Sequence, residues 1–75
     1  MPTVLRINGY RFFFYSNEHL PIHIEKDEKT AKFNLQPIEI IYTRRFKASE
    51  ISEIRKLVVE NSEFLIQQWN EYFNN

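Results

Sequence analysis

The sequence predicts an α+β fold: a small antiparallel sheet, made of an N-terminal β-hairpin and a second hairpin, packed against one long or kinked C-terminal helix. Three observations predict it. Asn8-Gly9 stands between two β-rich apolar runs, the pair favoured in a two-residue type I′ hairpin. Apolar and polar residues then alternate through residues 22–26 and 31–35, the period of strands buried on one face. Over residues 47–73 the period becomes helical, with Ile51, Ile54, Leu57, Val58, Phe64, Leu65, Trp69, Tyr72 and Phe73 on one stripe. Such a helix needs an apolar partner surface, and the sheet provides it.

The first element is a hairpin over residues 1–16. A type I′ turn at Asn8-Gly9 sets Ile7 opposite Tyr10, Arg6 opposite Arg11, Leu5 opposite Phe12, Val4 opposite Phe13 and Thr3 opposite Phe14. Side chains alternate across a strand, so Leu5, Ile7, Tyr10, Phe12 and Phe14 form the core face. Val4, Arg6, Arg11, Phe13 and Tyr15 fall on the outer face. Residues 17–30 follow as a histidine-containing loop and a third strand with Ile22 and Ile24 inward. Asp27-Glu28-Lys29 reads as a charged turn. Residues 31–46 form the second hairpin, with residues 38–42 as its returning strand; a short helix starting at Pro37 is the rival there, because proline suits a first helical position. Arg44-Arg45-Phe46-Lys47 is a basic connector. In the helix over residues 47–74, Ser49 is the expected N-cap, and Glu50 and Glu53 suit the positive end of the helix dipole. Asn61-Ser62 is the one weak point of the helical pattern, where the stripe continues in phase and a kink is expected.

With 75 residues the chain is one domain, small enough that its core is marginal, and an aromatic content of 16% helps to fill it. No cysteine is present, so no disulfide or thiolate metal site holds the fold, which fits a cytoplasmic setting. No run has the length of a signal peptide or a membrane span, so no membrane association is expected. Ten basic and ten acidic residues cancel, which counts against a dedicated nucleic-acid binder.

The opening from Met1 through Asn17-Glu18-His19, then Pro21 and His23, Ala31-Lys32-Phe33 and the closing Trp69-Asn70-Glu71-Tyr72-Phe73 together resemble a family of small bacterial and archaeal proteins known as domain of unknown function 4160. Its characteristic stretch is Asn-Glu-His followed by Pro-Pro-His-x-His. Here Asn17, Glu18, His19, Pro21 and His23 are kept, Ile22 stands at the second proline, and Glu25, or a two-residue deletion, stands where the second histidine would be. The resemblance implies a compact sheet-and-helix domain that acts with a small protein partner, since members are often encoded beside another small protein as in toxin–antitoxin modules. It implies no activity and no cofactor.

Two constellations carry chemistry. His19 and His23, with Glu18 and Glu25, offer imidazole and carboxylate groups within eight positions, the makings of a metal site or a base near neutral pH. The ordinary reading is stronger: His19 closes a loop, and His23 sits on the solvent side of a strand. Arg6 and Arg11, side by side on the hairpin, repel by roughly a few tenths to one kcal/mol, so a carboxylate such as Glu25, a phosphate or a partner must offset them. With Val4, Phe13 and Tyr15 they compose an apolar patch rimmed by arginine, as protein interfaces do. The expected function is therefore a non-enzymatic interaction module, binding a small partner or itself as a homodimer through that face. The alternative is an RNA-directed ribonuclease or nucleic-acid binder using His19 or His23 with Arg6 and Arg11. No phosphate loop is available, as Gly9 is the only glycine.

Overall fold

The computed structural model describes residues 3–14 and 21–73. Five strands, β1 (Thr3–Ile7), β2 (Tyr10–Phe13), β3 (Pro21–Lys26), β4 (Lys29–Leu35) and β5 (Ile38–Arg44), pair antiparallel in chain order. Two helices follow, α1 (Ala48–Glu60) and α2 (Ser62–Phe73). The α+β architecture expected from the sequence is present.

The first hairpin turns where Asn8-Gly9 allows it. Both residues have positive φ, 53° and 84°, which a type I′ turn demands. The register Ile7↔Tyr10, Arg6↔Arg11, Leu5↔Phe12 is the expected one. It then departs: Thr3 faces Phe13, so Val4 is a bulge residue and neither Val4↔Phe13 nor Thr3↔Phe14 forms. A bulge breaks the alternation of faces, and both Val4 and Leu5 pack against the core. Burying one more apolar side chain is the physical reason for the departure.

The second turn repeats the geometry of the first without a glycine. Asp27 and Glu28 take φ of 49° and 67°, a region that non-glycine residues enter at a cost. Lys29, expected in the turn, begins β4 instead. At the third turn the Gln36–Pro37 peptide is cis, and Asn34 Nδ2 donates to the Pro37 carbonyl at 3.1 Å. The rival helix at residue 37 does not form. Ile38 and Ile40 pair with Leu35 and Phe33 instead, and a second bulge leaves Ile41 out of the ladder.

The core gathers Tyr10, Phe12 and Phe14, then Ile22, Ile24, Ala31, Phe33 and Leu35 from the sheet, and Ile54, Leu57, Val58 and Leu65 from the helices. Each such side chain contributes about 1.5–3 kcal/mol on leaving water. Leu5, Ile7, Trp69 and Phe73 pack around it half-buried. Phe64 and Tyr72 are exposed, in contrast to the single stripe expected, and α2 buries Leu65 fully. Hydrogen bonding runs from one helix into the next: Asn61 donates its backbone N–H to Leu57, and Leu65 donates to Asn61. The two helices are thus joined directly through Asn61, roughly the long or kinked helix expected.

Helix α1 begins at Ala48, within the span expected, but with a different cap. Lys47, not Ser49, is the N-cap; its carbonyl accepts from Ile51 at 2.9 Å, and its N–H donates to the Glu50 carboxylate at 2.9 Å. Ser62 donates its hydroxyl to the Val59 carbonyl. Polar bonds clamp this helix to the sheet. Tyr10 donates its hydroxyl to Glu53 at 2.8 Å, and Lys29 pairs with Glu50 at 2.8 Å. The Lys29 bond holds the Glu50 carboxyl below its ordinary range, aided by the Lys47 N–H. Burial pushes the Tyr10 phenol up to about 12, reinforced by its bond to Glu53.

Two outcomes follow. Phe33→Ala lowers the unfolding free energy by about 3–5 kcal/mol, read from urea titration by circular dichroism. Tyr10→Phe removes one hydrogen bond, costing about 1 kcal/mol at neutral pH. The raised phenol contributes stability that is full below its ordinary value of 10.0 and lost as the pH climbs through about 12. The stability difference between wild type and Tyr10→Phe therefore shrinks across that interval.

Candidate functional site

The helices cover one face of the sheet, and the strand registers determine which of the described side chains the opposite, open face displays. One row runs Arg6, Arg11, Glu25, Thr30 and Arg44 from β1 to β5. The next runs Phe13, His23, Lys32 and Tyr42 from β2 to β5. Adjacent members lie roughly 4.8 Å apart along the hydrogen-bonding direction.

Arg11 is the organising side chain. Its guanidinium donates to Glu25 at 3.3 Å and to the Thr3 hydroxyl at 3.3 Å, and lies 4.1 Å over the Phe13 ring. Glu25 thereby supplies the carboxylate that the Arg6–Arg11 pair was expected to need. His23 stacks on Phe13 at 5.4 Å, with the ring planes 26° apart. Between the guanidinium and the imidazole, Phe13 is only 9% exposed. Burial lowers the His23 pKa below its ordinary value, and the Lys32 charge adds to the effect.

The expected binding patch is therefore altered. Arg6 is exposed and Arg11 half-buried on the open face, as expected. Val4 has turned into the core, and Phe13 is covered by its own neighbours. Tyr15 and His19 lie outside the described residues. The apolar part of the patch is reduced, and its basic part remains. His23 and Glu25 share the open face two positions apart, as their alternation implies. Among the described residues no group of three or more His, Asp or Glu side chains is arranged to hold a metal ion.

Sequence reasoning overlooked the far side of this face. Lys32, Tyr42 and Arg44 complete the two rows, and Ile41 and Tyr42 are the large apolar side chains that the sheet exposes, at 52% and 46%. The alternation of residues 31–35 was a sufficient signal for Lys32. The positions of Tyr42 and Arg44 depend on the bulge at Ile41, which no local pattern announces.

The class is thus a five-stranded antiparallel meander with helices on one face and a charged, open second face. A family model described as "Domain of unknown function (DUF4160)" matches residues 9–70, and the chain belongs to that family. No curated protein and no solved structure matches it.

His23 titrates with a consequence for stability. A base whose folded pKa is depressed gives stability that is present above its ordinary value of 6.5 and lost as the pH falls through its folded pKa. His23→Gln flattens that acid limb, and urea titrations of both proteins between pH 7 and pH 5 read the difference.

Proposed function

We propose that this protein is a non-enzymatic interaction module that pairs with a small protein partner in a toxin–antitoxin-like setting, and that the partner docks along the free edge of β5. One observation carries the reading: among the described residues β5 has a strand neighbour on one side only, and that edge strand holds the exposed Ile41 and Tyr42. An unpaired edge offers backbone N–H and C=O groups to a strand of another chain. The bulge re-aims Ile41 out of the ladder, where it serves as an apolar anchor. Arg44 and Arg45 beside it are exposed, giving the apolar centre and arginine-bearing rim typical of interfaces. The toxin–antitoxin-like setting rests on the family, whose members are often encoded beside a second small protein. The partner surface moves accordingly from the outer face of the hairpin to the opposite edge of the sheet.

The test is titration of the purified protein with the product of the gene adjacent to its own, followed by sedimentation. Ile41→Asp weakens the complex at least ten-fold, the size expected of an anchor residue, while Val59→Asp on the exposed side of α1 leaves it unchanged. A complex indifferent to Ile41→Asp overturns the β5 reading. A wild-type homodimer that Ile41→Asp dissociates replaces the small partner by a second copy.

A further inference from the structure

The open face carries a charge pattern that docking at the β5 edge does not require. Four cations, Arg6, Arg11, Lys32 and Arg44, stand on it against two carboxylates, Glu25 and Glu39. Glu25 is engaged by Arg11, and Glu39 lies a row away, opposite Asn34. The chain as a whole is neutral, so the excess is balanced elsewhere: α1 and α2 hold Glu50, Glu53, Glu60, Glu63 and Glu71 against Arg55 and Lys56. A neutral total conceals a polarised molecule.

We propose that the open face of the sheet binds single-stranded nucleic acid, with Arg6, Arg11 and Arg44 holding phosphates and Tyr42 stacking a base. From Arg6 to Arg44 the row crosses four strand gaps, about 19 Å at roughly 4.8 Å each. Four-stranded sheets that bind RNA stack about two or three bases on such a face. A flat sheet cannot enter the deep, narrow major groove of an RNA duplex, whereas a single strand lies across it. The 3.3 Å bonds from Arg11 to Glu25 and Thr3 are long for charge-assisted contacts, so a phosphate competes for this guanidinium without breaking a tight pair. Tyr42, opposite Lys32 at the end of the second row, is exposed enough to stack. The inference rests on the open face and not on the β5 partner, although the two surfaces share Tyr42 and Arg44.

The experiment is fluorescence anisotropy of a labelled eight-nucleotide oligouridine with the full chain, over a series of salt concentrations. The wild type binds at low salt. The double variant Arg6→Glu, Arg44→Glu, both at exposed positions, binds at least ten-fold more weakly, and its log–log salt slope is shallower by about 1.4, two phosphate contacts at about 0.7 each. Tyr42→Ala loses roughly ten-fold with the slope unchanged. Lys56→Glu, on the exposed side of α1, behaves as wild type. Circular dichroism verifies that each variant is folded. Absence of wild-type binding at 50 mM salt overturns the proposal, as does equal loss in the Lys56→Glu control. Displacement of the oligonucleotide by polyglutamate at equal charge also overturns it, since the face would then recognise acidic protein.

Discussion

A sheet with one apolar face must have that face covered, and the remaining structure follows from how this one is covered. Phe12, Ile24 and Ala31 are register neighbours, and they join Ile54, Val58 and Leu65 in a single core. Side chains alternate with a period of two, so a slip of one residue in any strand would send its core residues to the open face. The helices therefore lock the register. They also decide, by parity, which residues remain for any other purpose: those between the core positions, including Arg11, His23 and Lys32.

The polar clamp has a different role from the core. The Tyr10–Glu53 hydrogen bond is worth about 0.5–3 kcal/mol, comparable to one buried apolar side chain of a core that has a dozen, and the Lys29–Glu50 pair is screened by solvent. What they add is direction. Both tie the first half of α1 to strand ends next to turns, Tyr10 beside Asn8-Gly9 and Lys29 beside Asp27-Glu28. Lys26 reinforces the corner by lying 4.6 Å over the Tyr10 ring. A side chain at Gly9 would be strained at φ 84° and would meet the Lys26 stem at 3.2 Å, so the glycine serves both the turn and this corner.

Much of the fold was legible because local signals agreed with the tertiary outcome. Asn8-Gly9 fixed the first three residue pairs, and alternation placed Ile22, Ile24, Ala31, Phe33 and Leu35 inward. The failures share a cause. Val4 and Ile41 are bulge residues, and a bulge answers what lies across the sheet, which no window of neighbours contains. The helix start illustrates a signal that was present but overlooked. Glu50 stands three residues after Lys47, the spacing of a capping box, whereas Ser49 has Ser52 at that distance. On the candidate surface, Arg6, Arg11 and His23 were visible from single strands. Tyr42 and Arg44 became visible only when five registers were laid side by side.

The order of elements along the chain also has a consequence for synthesis. All five strands precede both helices, so the apolar residues of the sheet are synthesised before the residues that shield them. At roughly 5–20 residues per second, translating the thirty or so residues from Arg45 through α2 takes about 1.5–6 s. During that interval Phe12, Ile24 and Phe33 lack their cover, and the nascent chain is exposed to chaperones and to unwanted association until α2 leaves the ribosome.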